Sequence, residues 1–351
     1  MKPNSNNRLK KNTLLKLLYA PLFTLVLLLL SPISSAEQTD IQPDKGSVTF
    51  SYSQDNDAFS LFPSDRYYTN GLRLTWLMDK KTRTPNWALK MANAVPFFPQ
   101  QESTRHGYTF GQNMYTPSRT NQINPDQNDR PYAGWLYAAI GLATETDNQL
   151  DMLTFTIGVV GPASGAEQTQ KFIHELINSP EPLGWDSQLE NELGLNIAYQ
   201  RSWRGFLTAS LQEYEIDVTP HISGAVGNVY TFTGGGVTVR FGSDLPNDYG
   251  APRLNYGLPS AGVLSPMKSI GWYVFAGVEG RAVAHNIFLD GNTFVDSRQV
   301  EREVLISDLQ LGLVFDWPKT RISYSHIYRS KEFKTQADRH GFATLSFTFK
   351  Y

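Results

Sequence analysis

The stretch SQDNDAFSLFPSDRYYTNGLRLTW, residues 53–76, sets Asp55, Asn56, Asp57 and Asp65 close to a Tyr-Tyr-Thr-Asn-Gly run that holds Thr69. Carboxylate, amide and carbonyl oxygens are the ligands a hard cation such as Ca²⁺ takes. A second group lies in GPASGAEQTQKFIHELINSPEPLGWDSQLENELG, residues 161–194. Gly and Pro end a strand there, and residues 166–178 read as a short helix. Gln170 and His174 are four apart and share one helical face, while Phe172 and Leu176 fall on another, expected to pack into the supporting wall. A neutral His beside a cation can take a proton from water. The ion polarises an ester carbonyl and stabilises its oxyanion. Together these parts suffice for ester hydrolysis.

Each part also has a plain structural reading. Asx residues in loops commonly cap turns, and Thr69-Asn70-Gly71 also suits a hairpin turn. A lone helical His is often a hydrogen-bonded spectator. His106, His221, His285, His326 and His340 lack such company and read as structural or exposed. No Gly-x-Ser-x-Gly elbow is present, and no nearby Asp-His order supports Ser164 as a triad nucleophile. The chain has no cysteine, which excludes disulfides, thiolate zinc sites and cysteine nucleophiles. Its net charge of −2 gives no basic field for nucleic acid.

These residues need elements to position them. Lys10 and Lys11 precede an apolar run from Leu14 to Leu30, followed by Ser-Pro-Ile-Ser-Ser-Ala. The run approaches the length of an anchor helix, but the small residues Ser34 and Ala36 favour cleavage, making 1–36 a signal peptide and 37–351 the mature domain. Beyond it, the chain alternates. Ala343, Leu345, Phe347, Phe349 and Tyr351 share one face, and Leu193, Leu195, Ile197 and Tyr199 another; Ile322, Tyr324, His326 and Tyr328 do likewise. An apolar face toward lipid and a polar face toward water is the pattern of a membrane barrel.

A soluble β-sandwich also alternates. The strands here are long, and they are joined by short turns at Asp147-Asn148, Trp203-Arg204-Gly205 and Trp317-Pro318-Lys319. The fold class is therefore all-β: a transmembrane antiparallel β-barrel of about twelve strands, with a short helix in an extracellular loop. The strands are expected at 46–54, 70–80, 106–114, 134–146, 150–160, 192–202, 206–218, 228–241, 270–281, 303–316, 320–330 and 341–351. With both ends periplasmic, the long connections 55–69, 115–133 and 161–191 meet outside, whereas 81–105 and 242–269 are long yet periplasmic. Gly234–Gly236 is expected to form a bulge. The helix is expected across the barrel mouth, aiming Gln170 and His174 toward Asn56, Asp57 and Thr69.

The stretches DNDAF, SDRYYTNGLRL, MYTPS, NDRPYAGWLY, GVVGP and QKFIHELI–GWDSQLENE resemble the outer-membrane lipid A deacylases of the LpxR type. The likeness runs in order from about residue 46 to 200 and more loosely to the C-terminus. It implies a twelve-stranded barrel that removes the 3′-linked acyloxyacyl group of lipid A with Ca²⁺. The family's motif residues fall on Asn56, Asp57, Thr69, Gln170 and His174, with the His activating water and the Asp helping to hold the ion. Glu181 is the candidate for an acidic residue that follows the His. Family members place a Lys in the second outer loop; here Arg119 and Gln122 stand instead, and no Lys occurs between Lys90 and Lys171. Arg66, Arg119 and Arg130 are candidates to meet substrate phosphates. The expected protein is a monomer in the outer membrane of a Gram-negative bacterium. A passive pore or adhesion barrel, and an outer-membrane phospholipase, are the competing readings.

Overall fold

The computed structural model describes residues 47–60, 66–99, 104–250 and 270–351. The expected signal peptide, Asp65 and most of 242–269 lie outside them. The strands are β1 (Val48–Asn56), β2 (Tyr67–Met78), β3 (Arg105–Thr116), β4 (Ala133–Thr146), β5 (Gln149–Val160), β6 (Glu192–Trp203) and β7 (Leu207–Leu211). They continue with β8 (Tyr214–Gly227), β9 (Tyr230–Ser243), β10 (Gly271–Asn286), β11 (Leu305–Asp316), β12 (Thr320–Arg329) and β13 (His340–Lys350). Each pairs antiparallel with its neighbours, β1 closes onto β13, and β6 closes onto β8.

β6 and β7 lie end to end along β8, with Ser202 opposite His221 and Leu207 opposite Val218. They form one stave broken at 204–206, so the closed barrel has twelve staves. The expected tight turn at Trp203-Arg204-Gly205 is thus an interruption, bridged where Phe206 N–H donates to Val218 O at 3.0 Å. The chain reverses later, at Gln212, whose φ of 57° is left-handed. The outward strand expected at 206–218 is consequently Tyr214–Gly227. The turns at Asp147-Asn148 and 317–319 are as expected, with Asp147 at φ 52° and Trp317 N–H bonded to Thr320 O at 2.8 Å. Gly234–Gly236 pair in unbroken register with Arg281, Gly280 and Glu279, so the bulge expected there is absent. The register shifts instead between Tyr68 and Asn70, and between Val283 and His285.

Side-chain alternation sorts the wall into two faces. Outward rows expose Leu193, Leu195, Ile197, Val274, Val278, Leu309 and Leu311. Inward rows join hydroxyls across strands: Ser51 to Thr348 at 2.9 Å, Ser53 to Ser346 at 2.8 Å and Thr75 to Thr109 at 3.0 Å. Ion pairs fill the lumen, including Arg240 with Asp217 and Asp248, Arg321 with Asp316, and Arg281 and Arg329 with Asp308. No helix among the described residues is long and apolar enough to cross a membrane.

Val48, Tyr351 and the turns at 147–148, 212–213 and 317–319 gather at one end of the barrel, the turn end, where Val48 N–H donates to Tyr351 O at 2.9 Å. The long connections 57–66, 117–132, 161–191, 287–304 and 330–339 gather at the other, together with the two-residue turn 228–229 between β8 and β9. The connection 79–104 is a long one at the turn end, as the strand count required. It carries α1 (Asn86–Ala92), whose Ala88 and Ala92 pack with Phe98 on Ile140, Leu142 and Leu153 of the outer wall. Two further helices, α2 (Ala166–Leu176) and α3 (Ile287–Asp290), stand at the loop end.

A candidate active site on the outer wall

α2 begins after Gly165 and buries one row, Ala166, Gln170 and His174, at a spacing of four residues. Its opposite face exposes Phe172 (62%) and Leu176 (42%). The expectation that Phe172 and Leu176 enter the wall is therefore reversed. The polar row faces the wall and the apolar row faces away, as suits a helix whose outer surroundings are lipid rather than water.

The wall beneath α2 is the outside of β3 and β4. Tyr115 points into the lumen, where its hydroxyl meets that of Tyr230 at 2.7 Å. By alternation Gln112, Met114 and Thr116 point outward. Gln112 Nε2 donates to Ser164 O at 2.7 Å, and Met114 clusters with Tyr132, Ala166 and Trp185. Gly134 permits the close approach: a Cβ there would stand 2.1 Å from Ser164 Oγ and 2.3 Å from Ala166 Cβ. The helix thus lies against the outside of the barrel, not across its mouth.

Two hydrogen bonds orient the polar row. Gln170 Oε1 accepts from Trp185 Nε1 at 2.7 Å. His174 Nδ1 lies 2.6 Å from Pro180 O. A carbonyl only accepts, so Nδ1 carries the proton and Nε2 of the neutral ring is the proton-accepting nitrogen. Ser164, in contrast, donates its hydroxyl to Gly161 O at 2.6 Å and has no basic partner.

The first loop forms a strap over the neighbouring wall. Asn56 ends β1, and its Oδ1 accepts Ala58 N–H at 2.7 Å, capping the short turn Asp57–Phe59. Asp57 is 1% exposed, and its Oδ2 accepts Arg66 N–H at 2.7 Å. Tyr324 OH donates to Phe59 O at 3.1 Å, holding the strap toward β12. Thr69 sits at the β2 bulge with its hydroxyl 2.7 Å from that of Thr116.

Of the clustered acidic and amide residues, Asp55 is a lumen group. It accepts from Tyr68 OH and Thr344 Oγ1, each at 2.7 Å, and from Arg73 at 3.3 Å. Asn56 and Asp57 are the members of the group that remain outside the lumen. Asn56 stands opposite Asn70, and Asn70 opposite Met114, on one outward row. Asn56, Asn70, Gln112 and Thr116 make a polar patch on the outer wall, with α2 on one side and the strap on the other.

The remaining expected residues lie elsewhere. Glu181 is 63% exposed and pairs with Lys171 at 3.5 Å. Arg119 is exposed. Arg66 lies over the Tyr67 ring at 5.3 Å, with Nη2 4.0 Å from Asp338. Arg130 is fully buried, paired with Glu332 at 3.3 Å and stacked 4.7 Å from Tyr115, so it does not reach a substrate on the wall. Among the described residues no three His, Asp or Glu side chains converge as metal ligands. An ion at the strap would draw on Asp57, the Thr69 hydroxyl and main-chain carbonyls, an oxygen donor set that fits calcium. Sequence reading missed Asn70, Gln112 and Gly134; polar residues interrupting outward rows of adjacent strands were the signal available.

A closed barrel with an apolar exterior, a lumen of ion pairs and five long loops gathered at one end is an outer-membrane β-barrel protein. The chain belongs to the LpxR family: the family model described as outer membrane protein LpxR matches residues 22–351. The structure of LpxR from Salmonella typhimurium is similar, with a TM-score of 0.70 and 22% identity over 86% of this chain and 99% of that one. The β domain of the Bordetella autotransporter BrkA aligns with a TM-score of 0.40 and 9% identity over 87% and 99% of the two chains. No curated protein sequence matches the chain significantly. The turn end accordingly faces the periplasm and the loop end the exterior.

Proposed function

We propose that the protein is a calcium-dependent esterase of the outer membrane that removes the 3′-linked acyloxyacyl group from lipid A. The observation that carries this reading is the placement of His174. It lies on the buried face of a helix laid on the lipid side of the wall, its Nδ1 proton held by Pro180 O. A substrate in the outer leaflet reaches that face laterally, without leaving the membrane.

In this reading His174 Nε2 takes the proton of an attacking water, and Gln170, fixed by Trp185, lines the same face. Asn56 Oδ1 is engaged by Ala58 N–H, which turns its Nδ2 donors outward to the oxyanion. Asp57 and Thr69 are the residues that would hold calcium; when bound, the ion supplies Lewis-acid polarisation of the ester carbonyl. Glu181 has no part in this arrangement. The exposed Arg119 is the remaining candidate for a phosphate contact.

A lumen crowded with ion pairs disfavours the passive-pore reading, and the lack of a base at Ser164 disfavours a serine phospholipase. The purified protein incubated with lipid A should release a fatty acyl product seen by mass spectrometry, and EGTA should abolish release. Undiminished release in EGTA would remove calcium from the account; no release under any condition would remove the activity.

A further inference from the structure

β12 carries a second histidine on the lipid side of the wall. Its inward row includes Arg321 and Arg329, paired with Asp316 and Asp308 in the lumen. Its outward row is Ile322, Tyr324, His326 and Tyr328. His326 is 2% exposed, its ring 4.2 Å from that of Tyr328, and neither ring nitrogen has a hydrogen-bond partner among the described residues. A neutral imidazole carries one N–H donor and one acceptor. Burying both without partners costs free energy, and groups left so in a native fold call for a missing partner.

The register places this ring beside the candidate site. His326 stands opposite Ala343, and Ala343 opposite Asn56. His326 and Asn56 are therefore level on the same side of the wall, two staves or about 10 Å apart at the usual strand spacing. Between them, among the described residues, β13 presents Ala343 and, one step nearer the exterior, Gly341. A Cβ on Gly341 would lie 3.1 Å from Ser60 Oγ and 3.4 Å from His326 Nε2. The strap and β12 thus border a small notch, with a hydroxyl on one side, an imidazole on the other and a glycine as floor.

We propose that this notch is a subsite of the lipid-facing groove, in which His326 binds a hydroxyl group of the bound glycolipid and so sets substrate specificity. A hydroxyl can donate to or accept from His326 Nε2, the ring nitrogen that borders the notch; a diacyl phosphatidylethanolamine carries no hydroxyl. The notch lies on the opposite side of Asn56 from α2, so His326 contacts the substrate away from the ester that His174 addresses. The inference rests on the proposal that lipid A enters at Asn56 and Asp57.

Full-length protein in detergent tests it with His326→Ala, His326→Asn and the notch-filling Gly341→Ala, each confirmed as folded by heat-modifiable mobility. With lipid A as substrate, His326→Ala and Gly341→Ala should raise KM about tenfold, the worth of one well-made hydrogen bond, with kcat within about twofold. His326→Asn, which keeps a donor and an acceptor, should recover part of the loss. In a His174→Ala background, native mass spectrometry should show the same tenfold weakening for lipid A and none for phosphatidylethanolamine. Unchanged lipid A retention by His326→Ala overturns the subsite, as does a loss confined to kcat. Wild-type protein that retains lipid A more tightly than His326→Ala but cleaves nothing supports the subsite and overturns the esterase reading alone. Wild-type protein that retains no lipid A overturns both.

Discussion

Gln112 of β3 donates a 2.7 Å hydrogen bond to the main-chain carbonyl of Ser164. This contact, made from the outward row of the wall, fixes the start of α2 on the lipid side of the barrel. The position of His174 follows from it. The helix axis is set by Ala166 against Gly134, and the buried row then carries Gln170 and His174 along the wall.

Gly134 should consequently be intolerant of any side chain. The Cβ of Gly134→Ala would meet Ser164 Oγ at 2.1 Å and Ala166 Cβ at 2.3 Å, so α2 must move. A displacement of about 1 Å in a positioned group costs on the order of a hundredfold in rate. Lipid A cleavage by Gly134→Ala should fall by about that factor while the barrel still folds, as judged by heat-modifiable mobility. Gln112→Ala should show a milder loss, about tenfold, for the removal of one hydrogen bond.

Asp57 and Glu181 should separate cleanly. Asp57 is a buried carboxylate on the strap, and Asp57→Asn should raise the calcium concentration needed for half-maximal activity at least about tenfold, by removal of a charged ligand. Glu181 is a surface partner of Lys171, and Glu181→Gln should leave the calcium requirement within about twofold, since exposed pairs contribute little. Calcium titrations of activity check both.

Arg130 and Glu332 tie the second outer loop to the loop between β12 and β13 inside the rim. Breaking such a buried pair by Glu332→Gln should destabilise the protein by about 3–5 kcal/mol, measured by urea unfolding in detergent. Burial pushes the Glu332 carboxyl up, but the guanidinium groups of Arg329 and Arg130 outweigh it and hold the group below the usual Glu range. Its folded-state value is therefore depressed, so its contribution is complete above the ordinary Glu value. That contribution is lost as pH falls through the depressed value. Thermal melts between pH 7 and pH 3 should show a fall at the acid end that Glu332→Gln diminishes.

The barrel was legible in the chain because alternation is a local signal, and lipid outside with ion pairs inside makes the two rows chemically unlike. Strand number and closure followed from it. The Trp203-Arg204-Gly205 turn did not, because a break within a stave and a reversal between staves use the same turn residues. The candidate site residues Asn56, Asp57, Thr69, Gln170 and His174 stood out as types and spacings. The side of the wall on which the fold places them did not. That depends on which parity of β3 faces out, on the fit of Ala166 against Gly134, and on an apolar helix face that seeks lipid and so inverts the burial expected of Phe172 and Leu176. Asp55 and Arg130, chemically suitable in the sequence, are taken by lumen partners that are distant along the chain.

The most direct measurement is the rate of acyl release from lipid A by purified wild-type protein and by His174→Ala, followed by mass spectrometry at saturating calcium. Loss of a positioned general base predicts a fall of about a hundredfold to ten-thousandfold with folding intact. A His174→Ala protein that cleaves lipid A at the wild-type rate would contradict the account.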